Sequence, residues 1–544
     1  MRRTFLLLAV LGLVGVFAVS GGSAATPAAV AWGGAIKVPG TATLNSGGNA
    51  IAFSVSCAAA GDCAAGGHYA DGSGDEQAYV ADETGGSWGT AVEVPGTATL
   101  NTGGSALVES VSCAAPGDCA VGGYYYNASD FGEAFVVSET NGGWDSAVEV
   151  PGTAALNTGG NAHTLSVSCG AVGDCAAGGY YTDGSGDAQA FVVNETNGSW
   201  GTAVEVPGAA GLNTGGYAEV NSISCASAGD CTAGGYYTSV DGHAFVVSET
   251  NGSWGTAVEV PGTETLNSGN GSEVNSVSCA AAGDCAAEGA YYVLGSGFQA
   301  FVISETNGSW GTAVEVPGTA TLNSGGNADE GGSISCAAVG DCAADGSYID
   351  GSGHKQAFVA SETNGSWGTA IEVPGTATLN SGGEAGVNSI SCAAAGDCAA
   401  GGLYKDGSSH FQAFVISETN GSWGDAVEVP GTATLNSGGN ADVYAVSCGA
   451  AGECAAGGYY TAALSHDQAF VVNSALRCVV PKVVGKTLSA AKKTLKAAHC
   501  GVGKIKRVYS KVRNGRVAAQ NPKPGKHLAS GAKVALTVNK GKRK

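Results

Sequence analysis

An all-β fold, built from repeats and shut into a ring, is what this 544-residue chain predicts. Pairs of the form Cys-x5-Cys recur about every 56 residues, at Cys57/Cys63, Cys113/Cys119, Cys169/Cys175, Cys225/Cys231, Cys279/Cys285, Cys336/Cys342, Cys392/Cys398 and Cys448/Cys454. Tryptophans recur at the same interval, at Trp32, Trp88, Trp144, Trp200, Trp254, Trp310, Trp367 and Trp423. The two series are offset, so the chain begins and ends in mid-repeat.

Within one unit, residues 273–318, the run 274–279 ends at Cys279 and a tight Ala/Gly/Asp turn leads into 285–292. A Gly/Ser loop, the run 299–304, an Asn-Gly turn and the segment 310–316 headed by Trp310 follow. Four runs of β-formers divided by Gly, Asn and Asp are the signature of antiparallel hairpins. No helical period occurs in the repeats. Four strands in a unit of about 56 residues fit a β-propeller blade, whereas an open solenoid has smaller repeats and distinct caps. The eighth unit stops after 468–473 with no Trp strand, and Trp32 opens a Trp strand with nothing before it. The reading is therefore an eight-bladed β-propeller closed by the N-terminal strand, with a stacked β-array as the alternative. Closure also hides two sheet edges that would otherwise template aggregation. The turn Ser304-Glu-Thr-Asn-Gly-Ser-Trp310 resembles a shortened Asp-box of sialidase-type propellers, and the unit resembles kelch-like blades. The turn is one residue short and lacks the Asp, so the resemblance implies the hairpin and not the chemistry.

Residues 1–25 read as a secretory signal: Arg2 and Arg3, an apolar run 5–19, then small residues with cleavage after Ala24 or Ala25. An uncleaved anchor is the rival. Export to an oxidising compartment favours disulfides, and the 18 cysteines divide into eight identical local pairs plus Cys478 and Cys500. Each local pair flanks a five-residue turn and would staple a hairpin; zinc ligation would need further ligands that the spacing does not offer.

Charge divides the chain. All 46 acids precede residue 475, and only Lys37, Lys355 and Lys405 accompany them after the signal, a net charge of −43. The last segment, from 475 to 544, holds 19 Lys and Arg and no acid. The acidic ring will repel nucleic acid and anionic glycans and stay in solution, while the basic end suits polyanions.

After Cys478 the texture changes to Val480-Pro481, Val484-Gly485, a helical stretch 489–499 with Thr487 or Ser489 as cap, Gln520-Asn-Pro-Lys-Pro-Gly525 and the strand 531–538. Leu488, Ala491, Leu495 and Ala498 share one helix face. These residues resemble a PASTA domain, the module of penicillin-binding proteins and of bacterial serine/threonine kinases. The resemblance covers about 65 residues and implies a small α+β fold that contacts peptidoglycan or its stem peptides. The Cys478/Cys500 pair and the lack of acids depart from the pattern. The expected domains are 1–25 signal, 26–475 propeller and 476–544 PASTA-like with a basic tail. Lys504, Lys506, Arg507, Lys511, Arg513 and Arg516 are its candidate contacts with wall polymer.

Sialidases grip the substrate carboxylate with an Arg cluster, and no Arg occurs between residues 4 and 476. Most carboxylates recur at equivalent places, such as Glu259, Glu315 and Glu372, which argues for a framework role. The repeats disagree six and four residues before the first Cys of each pair, where the inner strand of a blade would begin at one mouth of the channel. Glu219, Glu273, Glu330, Asp442, His163 and Tyr444 from these positions are the candidate ligand residues. The Asp-Gly-Ser-Gly-Asp loops, as at 71–75, should share that face, and the disulfide and Asn-Gly turns the opposite one. These loops read as ordinary polar turns rather than calcium sites, and no cofactor or metal is expected. The resulting expectation is a secreted, monomeric, non-catalytic binding or display protein of bacterial cell walls, with a wall hydrolase or a purely structural envelope protein as the alternatives.

Overall fold

Each repeat folds into one antiparallel sheet because its β-branched and aromatic residues alternate with small ones on strands of about ten residues. The computed structural model describes residues 30–541 apart from 270, 329–331, 464–465, 477, 499 and 529–531. The signal segment 1–25 and Glu330 lie outside the described residues. Two units are present, Val30–Leu476 and a second that runs on from Arg477.

The third repeat represents the rest. Its inner strand Ala162–Ala171 pairs with Asp174–Thr182, which pairs with Ala188–Thr196. The Trp segment, expected as one fourth strand, is in two pieces, Ser199–Trp200 and Val204–Glu205, both paired to Ala188–Thr196. Between them the Ala203 N–H turns out of the sheet and donates to the Pro151 carbonyl of the preceding repeat (2.7 Å). The outer strand thus gives up ladder bonds in order to bond across the junction. A one-turn helix, Thr153–Leu156, leads into the inner strand; four residues are too few to leave a helical period in the sequence.

Among the described residues there are eight such sheets. Their inner strands are joined in a circuit by the serine that precedes each first cysteine. The Cys113 N–H donates to Ser56 Oγ, Cys169 to Ser112, Cys225 to Ser168, Cys279 to Ser224, Cys336 to Ser278, Cys392 to Ser335, Cys448 to Ser391 and Cys57 to Ser447, at 2.9–3.0 Å. The last bond returns to the first repeat. A second series uses the serine two residues earlier, as where Ser54 Oγ accepts from Val111 N–H (3.0 Å) and Ser389 Oγ from Val446 N–H (2.9 Å). At the eighth junction Ala445 stands in that serine's place.

The N-terminal strand Val30–Trp32 pairs with His466–Leu476, Trp32 lying opposite Ser474, and Ile36–Lys37 pairs with the same strand. It completes the last sheet as the offset series implied. Indoles pin the junctions from outside: Trp32 Nε1 donates to Ser417 Oγ (3.2 Å), Trp88 to Asn473 Oδ1 (3.0 Å) and Trp200 to Ser138 Oγ (3.0 Å), each in the preceding sheet. The aromatic of each third strand, from Tyr79 through Phe135 to Phe470, is fully buried among Ala and Val.

Cysteines of every local pair sit directly opposite in the ladder with Cα atoms 3.9–4.0 Å apart, and all are bonded. Stapling a hairpin, the role expected from their place beside a turn, is only part of what the second cysteine does. Cys63, Cys119, Cys175, Cys231, Cys285, Cys342, Cys398 and Cys454 are all buried, at 4–6 % exposure, and so are core residues rather than surface turn residues. The reason is the alternation of a strand: each opens the second strand on the face that packs against the preceding sheet. Cys175 shares its core with Ala120 and Ala134 of that sheet, Cys231 with Ala176 and Ala190, Cys398 with Ala343 and Ala357, and Cys454 with Ala399 and Ala413. Each bridge therefore fills space between sheets as well as closing a turn.

In the second unit the helix Leu488–Ala497 starts at Thr487, whose side chain accepts from the Ala490 N–H (3.3 Å). Ala491, Leu495 and Ala498 bury one face against Val517, Val534 and Leu536. The strand Lys533–Asn539 lies between Gly501–Val508 and Val517–Asn521. Cys478 and Cys500 are bonded, tying the first strand to the helix end (Cα–Cα 4.7 Å). No described helix is long and apolar enough to cross a membrane.

Ala445→Ser supplies the absent junction hydroxyl opposite Val55 and should stabilise the ring by about 1 kcal/mol in urea unfolding. Trp32→Ala, which empties the pin of the closing strand, should cost about 3 kcal/mol in the same measurement.

Candidate functional site

The variable positions owe their freedom to vary to a backbone irregularity. Each fully described inner strand carries a β-bulge at the residue four before its first cysteine: Phe53, Glu109, Leu165, Asn221, Asn275, Asn388 and Tyr444 are the extra residues. A bulge re-aims its side chain and frees it from the ladder, so this position can vary without unpairing the sheet. The bulge also presses the His163 carbonyl toward the second strand, where a Cβ on Gly179 would stand 1.9 Å from it. Only glycine fits there, which accounts for the second glycine of the Gly-Gly pair in that strand.

The loop 71–75 lies at this same end: the Gly47 N–H, just before the inner strand, donates to the Ala70 carbonyl (2.9 Å). At the other end the Gly86 N–H donates to the Gly61 carbonyl (2.8 Å), joining Asn-Gly-type and disulfide turns. The two faces are therefore divided as the repeat pattern suggested. Each loop Asp closes its own turn. Asp71 Oδ1 accepts from the Ser73 and Asp75 amides and Oδ2 from Gln77, and these bonds, Ser73 first, hold its carboxyl below the usual range.

Aromatic rings gather on the variable face. Tyr124 stacks on His163 (3.7 Å between centroids) and meets Tyr126 edge-on (5.8 Å). His163 continues to Tyr180 (5.1 Å), Tyr180 to Tyr217 (6.3 Å) and Tyr217 to Tyr236 (5.5 Å, stacked). A second set, Tyr459–Tyr444–Phe53–His68, spans the eighth and first repeats at 5.3–5.6 Å. Five successive repeats, from the eighth round to the fourth, thus present rings at the second-strand position, whereas repeats five to seven have Ala290, Ser347 and Leu403 there, and the fifth keeps only an edge-on pair, Tyr292 with Phe298 (5.3 Å). The second-strand position is thus divided into an aromatic arc and a non-aromatic one.

Acids border the rings. Glu219 Oε2 accepts from the Tyr217 hydroxyl (2.8 Å), and Asp442 Oδ1 from the Asn388 amide (2.9 Å). Burial pushes the Glu109 carboxyl up to about 7, and that of Asp442, 5 % exposed, also to about 7 despite its hydrogen bonds. Burial lowers His163 to about 4, so its imidazole is neutral between its stacked neighbours.

Of the residues singled out from sequence, His163 and Glu219 fall in the longer aromatic run, where burial first, then the charge of Glu219 and, less, that of Glu273 raise the Tyr236 hydroxyl. Asp442 and Tyr444 fall in the shorter run. The sequence reading passed over Tyr124, Tyr180, Tyr217, Tyr236 and Tyr459. A Tyr pair follows Gly-Gly in the second, third, fourth and eighth repeats, and the replacement of its first member by Ala290, Ser347 and Leu403 in the fifth to seventh is the signal that would have located the arc. In the second unit Lys504 and Lys506 flank partly buried Ile505 on an exposed strand, and Arg507, Lys511 and Arg513 are exposed. Arg516 differs, since its guanidinium donates to the Gly485 carbonyl (2.6 Å) and braces the fold.

Residues 479–540 match the family described as PASTA domain. No curated protein matches the chain. Solved structures that resemble it include the BP39L lectin from Burkholderia pseudomallei (10 % identity, TM-score 0.39, 70 % of this chain and 99 % of that one). AofleA from Arthrobotrys oligospora (9 %, 0.32, 76 % and 93 %) and an ulvan lyase of polysaccharide lyase family PL25 (8 %, 0.37, 81 % and 95 %) are also similar.

The pH response of the mouth follows from Glu109 and Asp442. Both carboxyls hold a proton more tightly folded than unfolded, so their contribution is complete in acid and is lost as pH rises from about 4 through about 7. Glu109→Gln with Asp442→Asn should make the melting temperature fall less steeply over that interval, as read by calorimetry across pH.

Proposed function

We propose that the chain is an exported, non-catalytic binding protein of the bacterial envelope, whose ring takes uncharged or amino-bearing carbohydrate on its aromatic arc. The carrying observation is the run of rings from Tyr126 to Tyr236 on the face where the repeats diverge. Flat apolar faces with a few convergent polar groups suit the C–H faces and hydroxyls of sugar rings. Glu109, Glu219 and Asp442 accept hydrogen bonds from hydroxyls, and the acidic surroundings disfavour anionic glycans. The PASTA match supports wall contact by the second unit, where Lys504, Lys506 and Arg507 offer a salt-sensitive hold on peptidoglycan or anionic polymer. Retention at the wall would raise the local concentration of the ring near its glycan.

On a glycan array the full chain should bind neutral or amino-bearing glycans, and Tyr124→Ala with Tyr217→Ala should lower that signal at least tenfold; equal signals would remove the arc from the mechanism. In sedimentation with purified cell wall, Lys504→Gln, Lys506→Gln and Arg507→Gln together should release the protein at lower salt. Unchanged retention would show that these cations do not hold the wall.

A further inference from the structure

On the face opposite the arc, each sheet from the first to the seventh buries one glutamate against its neighbour: Glu83, Glu139, Glu195, Glu249, Glu305, Glu362 and Glu418 are 2–6 % exposed. At five junctions a serine or asparagine of the preceding sheet donates to this carboxylate, as from Ser248 to Glu305 (3.0 Å) and Ser361 to Glu418 (2.9 Å). The junction of the first and second repeats breaks the rule. There the donor is replaced by Asp82, which has no proton to give when ionised and itself accepts from the Trp144 indole (3.2 and 3.3 Å). Glu139 is 4 % exposed and neither of its oxygens has a hydrogen-bond partner. Both acids line a cleft of about 250 Å³ between the sheets, shared with Asp62, Glu83 and Asn141 and walled by Cys63, Cys113 and Cys119. No basic side chain lines it.

We infer that this cleft binds a primary ammonium group, held between the carboxylates of Asp82 and Glu139. An ammonium has three N–H donors and one charge, which meet the unpartnered oxygens of Glu139 and the remaining acceptor capacity of Asp82. Calcium prefers six or more oxygens, and among the described residues no trio of His, Cys, Asp or Glu is placed to hold a metal. The cleft has room for one amino sugar or one lysine-type side chain, so the ammonium has two possible sources. In the ligand-free ring, burial and then the charges of Asp82 and Asp118 push the Glu139 carboxyl up to about 7, and Asp82 is raised by burial as well. Asp62 and Glu83 face the same cleft, so every charged group around it is acidic. Binding below neutral pH therefore expels a proton as the ammonium enters, and for a lysine-type ε-ammonium, which stays charged throughout, affinity rises as pH goes from about 6 to about 8.

The test is calorimetric titration of the full chain with glucosamine, N-acetylglucosamine, Nα-acetyl-lysine amide and Nα-acetyl-norleucine amide, with Asp82→Ser, Glu139→Gln and Tyr217→Ala variants alongside. Glucosamine or Nα-acetyl-lysine amide should bind in a manner that Asp82→Ser abolishes, whereas Nα-acetyl-norleucine amide should not bind and any N-acetylglucosamine binding, made on the arc, should persist in Asp82→Ser; the tighter of the two amines identifies the ligand as sugar or peptide amine. Asp82→Ser restores the donor used at the other junctions, so it should melt higher than the parent and yet lose at least tenfold in amine affinity; Glu139→Gln should lose as much. Tyr217→Ala should keep the Asp82-dependent part of the amine binding, which separates this cleft from the arc. Absence of amine binding at millimolar concentration overturns the inference, as does equal binding by Asp82→Ser, binding lost in Tyr217→Ala, or a response to calcium alone.

Discussion

A serine hydroxyl placed one residue before a cysteine carries the architecture. Inner strands of neighbouring sheets have no ladder in common, so their outward amides need another acceptor or remain unpaired at the centre of the ring, where an unmet donor is costly. The hydroxyl of Ser56 and its counterparts supplies that acceptor at a fixed height, and the adjoining disulfide fixes the strand that bears it. Once the cysteine end is pinned, the strands can diverge toward the opposite end. The bulge, the Gly-Gly pair and the loop asparagines and aspartates are what that divergence permits.

This division explains why one face is uniform and the other is not. Near the disulfides a side chain is constrained by its own sheet and by the next, and the buried glutamates and cysteines show how close that fit is. At the bulge a residue answers to neither ladder, so Phe53, Glu109, Leu165 and Asn221 occupy equivalent places. In the eighth and first repeats the bulge residue itself, Tyr444 or Phe53, is aromatic and joins the neighbouring rings, whereas in the second to fourth the run is built from His163, Tyr217 and the second-strand Tyr124, Tyr180 and Tyr236. Where that second-strand ring is replaced, as at Ala290, Ser347 and Leu403, the run ends.

Periodicity made much of this legible. Cysteine spacing gave the staples, and the offset Trp series gave the strand that completes the last sheet. The PASTA resemblance was carried by the Val-Pro, helix and Asn-Pro-Lys-Pro-Gly elements, and the family match covers the same stretch. Three things were not legible. The split outer strand depends on a bond to Pro151 that lies in another repeat. The bulge leaves no signature at its own position, which tolerates any residue, and its mark, the second glycine of the Gly-Gly pair, lies on the partner strand. Asp82 is visible as a departure from the Ser/Asn found elsewhere, yet it acquires meaning only beside Glu139, one repeat further along the chain.

Among the described residues, the strand Val30–Trp32 pairs with His466–Leu476. As the chain emerges vectorially, its first strand must wait, exposed and adhesive, until nearly the whole ring has been synthesised, because a contact of such sequence separation is among the slowest to form. Chaperone dependence during folding, and entanglement between copies that exchange first strands when concentrated, are the natural consequences of locking a circle with its own beginning.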